Sequence, residues 1–171
     1  TNNILTLRYA HHNSTSDQPV SNSNSLGFGN RRSNTDAMSY QNSGYIIGDN
    51  TRSIAAELNS SLNSRTHNSL LVSYDYQNED RKYKGAFFPT IDIKKGNATY
   101  ISVGFDPFTP DNKLSYGTVQ VTDNVSIYRD RHTYTIGAKY ENYKSDNLFF
   151  PGNNGVYIFD SLAQFYAAAN D

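Results

Sequence analysis

The clearest alternation of apolar and polar positions follows a short polar turn at residues 129–131. One set of alternate residues beyond this turn is apolar or aromatic, and the other is polar or glycine. The first set is His132, Tyr134, Ile136, Ala138 and Tyr140, and the second is Thr133, Thr135, Gly137, Lys139 and Glu141. A period of two predicts a β-strand with one apolar and one polar face. Residues 113–128 are predicted to be the preceding strand of a hairpin, and their length suits a strand that crosses a membrane at a tilt.

Three earlier segments, residues 3–12, 52–62 and 67–77, alternate in the same way. Their apolar sets are Leu5, Leu7 and Tyr9, then Ile54, Ala56, Leu58 and Leu62, then Leu70, Val72, Tyr74 and Tyr76. The polar residues 63–66 predict a tight turn between the second and third segments. We therefore expect each segment to be a strand with one apolar face.

Long connections at about residues 13–41, 78–112 and 144–154 alternate with the short turns. Short strands are predicted at residues 99–105 and 155–159. One helix is predicted at residues 161–169, with Asp160 or Ser161 as its N-cap. Short turns that alternate with long loops are typical of an outer-membrane barrel. The predicted fold class is all-β: an antiparallel up-and-down meander of about six long strands, forming part of a larger transmembrane β-barrel.

One carboxylate interrupts this pattern. Asp123 occupies an alternate position between Val121 and Val125, so it is predicted to point to the same face of the strand at residues 113–128 as these apolar residues. A lipid-facing aspartate costs ~2 kcal/mol or less, depending on depth. A bulge near Asp123 would turn the side chain to the other face. The sequence leaves both arrangements open.

Composition supports a mostly β chain and excludes several functions. The 171 residues include 14 Tyr and 9 Phe but no Cys, so disulfide and thiol chemistry are excluded. Aromatic residues favour sheet, and the abundant Asn and Ser favour turns. A net charge of −1 argues against binding to nucleic acid. No run of about 18 apolar residues is present, so no membrane-spanning helix is predicted.

Several residues are candidates for chemical sites. His11 and His12 are adjacent in a strand and point to opposite faces, so they do not share a metal ion easily. His67 and His132 are isolated, and Gly27-Phe28-Gly29 lacks the third glycine of a phosphate-binding loop. Asp106, Asp111 and Asn112 could bind a hard cation, but the adjacent prolines favour simple turns.

No pattern names an enzyme. The carboxylates Glu57, Glu79, Asp80 and Glu141 are scattered, and no G-x-S-x-G nucleophile elbow occurs. We therefore expect a protein that is not an enzyme and carries no cofactor. A carbohydrate-active β-enzyme is a weaker alternative, which would need two carboxylates ~5–10 Å apart in a cleft.

The excess of aromatic residues has two interpretations. Lipid-facing rings and interfacial girdles explain it structurally. Alternatively, aromatic residues of the loops capture a ligand, assisted by Arg31-Arg32 and Arg81-Lys82 if the ligand is anionic. The loop aromatics are Tyr40, Tyr45, Phe87, Phe88, Phe149, Phe150 and Tyr157. These loop aromatics outnumber any plausible set of contacts with one ligand, so no individual ligand-binding residue is predicted.

An ordered series of short motifs resembles the large Oar-like TonB-dependent outer-membrane receptors. The series is SIAAELNS at 53–60, NSLLVSY at 68–74, FPTIDI at 88–93, TDNVSIY at 122–128, HTYTIG at 132–137, NLF at 147–149 and GVYIFDSLAQF at 155–165. It covers most of residues 50–170. Each motif alone is a weak pattern, and their common order is what makes the resemblance fairly specific.

The resemblance implies a 22-stranded barrel in the outer membrane, closed by an N-terminal plug, that takes up a ligand with energy from an inner-membrane complex. No plug-like segment, energy-coupling motif or closing strand is identified in residues 1–171. The whole chain is therefore expected to be a single middle segment of the barrel with its outer loops. Its expected partners are outer-membrane lipid, the rest of the barrel, the plug and the TonB-type complex.

A soluble or surface-exposed β-sandwich that serves as a binding or adhesion module is the main alternative. Its support is the strongly polar composition and a chain length sufficient for an independent domain. The two hypotheses differ in what covers the apolar faces, which is lipid in one and a second sheet about 10 Å away in the other.

Overall fold

A computed structural model describes residues 2–23, 35–109 and 111–170. The strands are β1 (Asn2–Gln18), β2 (Met38–Ser39), β3 (Tyr45–Asn63), β4 (Thr66–Tyr83), β5 (Thr90–Lys95), β6 (Ala98–Val103), β7 (Lys113–Arg129), β8 (His132–Leu148) and β9 (Val156–Phe159). The helix α1 (Leu162–Ala169) follows β9, and a 3-10 turn lies at Gln41–Ser43. Within these described ranges, no helix is long and apolar enough to cross a membrane.

The long strands form one five-stranded sheet in the order β1-β3-β4-β7-β8. Each long strand lies beside its neighbours in sequence, which confirms the predicted up-and-down meander. The described residues contain five such strands rather than about six. The strands are also longer than predicted, because β1 continues to Gln18, β4 to Tyr83 and β8 to Leu148. Backbone hydrogen bonds extend the sheet past the point where the apolar alternation ends.

A second, four-stranded sheet has the order β2-β6-β5-β9. Part of it falls within the predicted loop at residues 78–112, where only a strand near residues 99–105 was expected. β5 pairs with β6 in antiparallel fashion, with a register shift between Ile93 and Lys94. β2 pairs with β6, and β9 with β5, in parallel. The expectation of a purely antiparallel fold is therefore wrong for this small sheet.

The chain divides into two compact units. The first unit comprises Thr1–Asn13, Asp49–Asn78 and Leu114–Asp146, and the second comprises Ser14–Gly48, Glu79–Lys113 and Asn147–Asp171. Among the described residues, the large buried apolar side chains all belong to the second unit: Val20, Ile93, Phe105, Pro107 and Phe108. The second unit therefore holds a small hydrophobic core.

Aromatic stacking organises this core around Phe105. The ring of Tyr83 stacks on Phe105 with centroids 4.5 Å apart, and Phe87 meets Phe105 edge-on at 5.7 Å. Burial raises the pKa of the Tyr83 phenol above its ordinary value. The phenol oxygen accepts a hydrogen bond of 2.5 Å from the Asp111 amide.

The buried carboxylate of Asp106 holds the turn-rich segment in place. It is 2% exposed and accepts hydrogen bonds from the Ser21 amide (2.5 Å), the Phe108 amide (2.9 Å) and the Thr109 hydroxyl (3.0 Å). A buried carboxylate is stable only when donors of this kind replace its hydration. Asp106 therefore joins the segment that follows β1 to the turn after β6.

The helix α1 is defined by its N-cap, as the sequence predicts. Ser161 has an extended backbone, and its hydroxyl accepts a hydrogen bond of 3.1 Å from the Gln164 amide. The Gln164 side chain in turn accepts from the Asp160 amide at 2.6 Å. The Phe165 ring packs edge-on against Phe159 of β9 at 5.3 Å. This contact attaches the helix to the small sheet.

Gly137 in β8 is required by its neighbour Asn124. A Cβ atom at position 137 would lie 2.0 Å from the Asn124 side-chain oxygen and 2.8 Å from the Asp123 carbonyl oxygen. We expect Gly137→Ala to destabilise the protein by about 1–3 kcal/mol, as overpacking does. The midpoint of thermal unfolding, followed by circular dichroism, measures the loss.

The double variant Asn124→Ala/Gly137→Ala provides the control. It removes the side-chain obstacle but keeps the contact with the Asp123 carbonyl, so it is expected to recover part of the lost stability. Equal midpoints for the single and double variants would show that Asn124 is not the obstacle.

Candidate functional site

The polar residues of the first unit lie together on one face of the long sheet. Side-chain contacts connect each pair of neighbouring strands on this face. They are Arg8 with Glu57 (2.5 Å), Ser61 with His67 (3.1 Å), Gln77 with Tyr116, Gln120 with Glu141 (3.0 Å) and Ser126 with Thr135 (3.0 Å). Alternate side chains of a strand point to opposite faces, so the apolar sets of all five strands share the other face.

This apolar face is exposed in the structure. Leu7 of β1 is 72% exposed, Ile54 of β3 is 56% exposed and Ile136 of β8 is 73% exposed. Tyr74 and Val72 of β4, Val119 and Ile127 of β7, and Tyr134 and Tyr140 of β8 are exposed on the same side. Folded monomers in water rarely leave so continuous an apolar surface uncovered. The face therefore marks a site of interaction with an apolar environment or partner.

Asp123 lies on this apolar face. The pairs Gln120–Glu141 and Ser126–Thr135 are equally spaced along β7 and β8, so no residue is inserted between them. A bulge at Asp123 is therefore excluded, and the question that the sequence left open is settled. The Asp123 carboxylate accepts a hydrogen bond of 2.5 Å from the side-chain amide of Asn68 on β4.

The Asn68–Asp123 pair leads to a double-mutant prediction. Asn68→Leu removes the amide donor of the Asp123 carboxylate, and because this hydrogen bond is exposed we expect a loss of about 0.5–1.5 kcal/mol, the net contribution of one hydrogen bond. The double variant Asn68→Leu/Asp123→Leu removes both polar groups and is expected to be at least as stable as the wild type, because apolar residues replace both partners. The midpoints of thermal unfolding of the wild type, Asn68→Leu and the double variant measure these differences in stability. A double variant less stable than Asn68→Leu would contradict this account.

The outer strands of the long sheet, β1 and β8, are both long. An outer strand presents unpaired backbone N–H and C=O groups that template pairing with another chain. Soluble proteins usually protect such edges with prolines, bulges or short strands. Neither β1 nor β8 contains a proline. These edges are therefore suited to continue the sheet.

The histidines singled out in the sequence take part in local contacts. The His11 ring lies 6.5 Å from the Tyr9 ring, and the His132 ring lies 6.1 Å from the Tyr134 ring. His67 contacts the Ser61 hydroxyl through Nδ1 and the Tyr128 ring edge-on at 5.5 Å. In the part of the chain that the structure describes, no group of three His, Asp or Glu residues could hold a metal ion.

The candidate cation loop is organised by hydrogen bonds within the protein. Asp106 is buried among the three donors described above. The Asp111 carboxylate accepts from the Asn153 side chain at 2.5 Å, and the Asn112 oxygen accepts from the Phe150 amide at 3.1 Å. Asp111 has a positive φ of 61°, which a tight turn explains. The arrangement agrees with the turn interpretation of these residues.

The predicted loop aromatics belong to the second unit. Tyr40, Phe87, Phe88, Phe149, Phe150 and Tyr157 are all exposed. Of the cationic residues expected to help capture an anion, Arg81 pairs with Glu79 and lies 5.9 Å from the Tyr45 ring centroid. Gly27-Phe28-Gly29 and Arg31-Arg32 lie outside the described residues. Among the described residues, the exposed aromatic rings are the feature that supports the hypothesis of ligand capture by this unit.

Comparison with protein-family models, characterised proteins and solved structures finds no match for this chain.

Proposed function

We propose that the chain is a segment of a TonB-dependent outer-membrane receptor, whose long strands belong to a transmembrane β-barrel. The observation that carries this proposal is the division of the long sheet into an exposed apolar face and a hydrogen-bonded polar face. In a barrel, the apolar face contacts lipid and the polar face lines a hydrated lumen. The ordered motifs that resemble Oar-like receptors support the same assignment.

The distribution of residues along the apolar face suits a bilayer. On β8, the apolar set ends at Tyr140 and is followed by Asn142 and Lys144. On β4, the set ends in the aromatic residues Tyr74 and Tyr76. Aromatic rings at the border of an apolar band are typical of the membrane interface, where they reach both lipid and water.

The edges of the sheet favour the barrel over a sandwich. A barrel removes its edges by closure, so β1 and β8 would each pair with a further strand of the parent protein. The rival sandwich would cover the apolar face with a second sheet and would leave both long edges exposed. The proposed barrel pairs the backbone groups of both edge strands and also covers the apolar face with lipid.

The second unit carries exposed aromatic rings, including Phe88, Phe149 and Tyr157, which suit contact with a ligand. The function is binding and uptake rather than catalysis, without a cofactor or nucleic acid. The plug and the TonB-type energy-coupling complex would act through other parts of the parent protein.

An immunoblot of fractionated source cells tests the assignment. An antibody raised against this chain is expected to detect a band several times heavier than 19.2 kDa in the outer-membrane fraction. A soluble or secreted band near 19 kDa would eliminate the receptor and favour the sandwich module. An inner-membrane enzyme run on the same blot controls for the purity of the fractions.

A further inference from the structure

A groove lies on the apolar face of the first unit, where the apolar band ends. It has a volume of about 380 Å³ and is formed by three neighbouring strands. The floor is β7, which carries the small residues Ser115 and Gly117, and the end of the groove reaches Val119. One wall is Tyr74 and Tyr76 of β4, and the other is Asn142, Lys144 and Asp146 of β8. Short side chains between two rows of long ones create the depression.

Gly117 fixes the position of one aromatic wall. A Cβ atom at this position would lie 3.0 Å from the Tyr74 hydroxyl and 3.3 Å from its ring carbon Cε2. The absence of a side chain at Gly117 therefore lets the Tyr74 ring lie close to β7. A larger residue would both fill the floor and displace this ring.

The groove combines four kinds of chemistry. The Lys144 ammonium suits a phosphate group, and the side chains of Asp146, Asn142 and Ser115 suit the hydroxyl groups of a sugar. The Tyr74 and Tyr76 rings offer apolar faces with hydroxyl tips. Beyond Val119 the groove opens onto the apolar band, which suits acyl chains. A ligand that satisfies all four has a phosphorylated sugar and acyl chains in one molecule.

We propose that this groove binds a phosphorylated glycolipid of the surrounding membrane, and this inference rests on the proposed barrel. The sugar phosphate lies against Lys144, the sugar hydroxyls against Asp146 and Asn142, and the acyl chains along the apolar band beyond Val119. The groove volume is within the range of sites that hold small organic molecules.

The charges in the groove distinguish this ligand from an ordinary anionic phospholipid. Lys144 and Asp146 contribute opposite charges two positions apart on the same face of β8. A headgroup that carries negative charge but few hydroxyls would meet repulsion from Asp146 without compensation. A sugar phosphate gains hydrogen bonds at both residues.

Native mass spectrometry of the full-length protein measures the proposed binding. The protein is purified from outer membranes and exchanged into vesicles that contain either lipid A or phosphatidic acid, whose phosphate headgroup carries no sugar or glycerol hydroxyls, in a phosphatidylethanolamine background. We expect preferential retention of lipid A by the wild type. Lys144→Gln should lower retention about tenfold, as the loss of one charge-assisted hydrogen bond does. Lys139→Gln, on the polar face, should not change retention.

Two further variants separate the roles of the groove residues. Gly117→Leu should reduce lipid A retention by filling the floor, and Asp146→Asn should raise the retention of phosphatidic acid relative to lipid A. Equal retention of both lipids by the wild type, or equal retention of lipid A by Lys144→Gln and Lys139→Gln, would overturn the proposal. These outcomes in a protein that still fractionates with the outer membrane would leave the barrel assignment intact, whereas a soluble protein would overturn both.

Discussion

For the proposed barrel, replacement of Ile136 by arginine is expected to remove most of the assembled protein from the outer membrane. Ile136 is the most exposed large apolar residue of the long sheet and lies within the apolar row of β8. An arginine that faces lipid costs about 2–4 kcal/mol near the bilayer midplane. A loss of this size lowers the assembled fraction of a marginally stable protein severely. Quantitative immunoblotting of outer-membrane fractions measures the change.

Thr133→Arg is the matched control for this experiment. Thr133 lies on the same strand but in the polar set, which would face the lumen. The same charge should therefore have little effect there. Equal amounts of the two variants in the outer membrane would contradict the division of the sheet into a lipid face and a lumen face.

Replacement of Asp106 by alanine is expected to open the turn-rich segment of the second unit. The substitution leaves the Ser21 and Phe108 amides and the Thr109 hydroxyl without their common acceptor. Unsatisfied buried donors cost about 1–3 kcal/mol each, so a local loss of about 3 kcal/mol or more is expected. Hydrogen exchange at the Phe108 amide should become more than about a hundred times faster, because local opening governs that rate.

The variant Asp146→Ala provides a comparison, since it removes an exposed carboxylate. Exchange at the Phe108 amide should be unchanged in that protein. If Asp106→Ala also leaves the exchange unchanged, other contacts hold the turn, and the hydrogen bonds of Asp106 are not what stabilises it.

The long sheet and its two faces could be predicted because the signal is local. Alternation along β8 and β4 depends only on neighbouring residues, and the meander places consecutive strands side by side. The helix α1 could be predicted for the same reason, since Ser161 and the following residues form a self-contained N-cap. These parts of the prediction were confirmed.

The small sheet could not be predicted because its pairings are not local. β5 has too few residues for a clear period, and it becomes a strand by pairing with both β6 and β9. The two residues of β2 form a strand by parallel pairing with Ile101 and Ser102, which are distant in sequence. The proline-rich turn that contains Asp106 gives no indication that its carboxylate is buried.

The candidate sites could not be predicted in detail for the same reason, since they depend on contacts between residues that are distant in sequence. The placement of Asp123 required the register between β7 and β8 and the partner Asn68 on β4, neither of which a single strand specifies. The groove beside Gly117 arises where side chains from three strands meet. Sequence alternation indicated the face on which this groove lies but not the depression itself.

Fluorescence quenching at Ile136 tests the central claim most directly. The chain contains no cysteine, so Ile136→Cys and Thr133→Cys each introduce one labelling position into residues 1–171. A fluorophore at 136 should be quenched by brominated lipids and protected from iodide, and one at 133 should show the reverse. A fluorophore at 136 that brominated lipids do not quench would show that protein or water, rather than lipid, covers the apolar face.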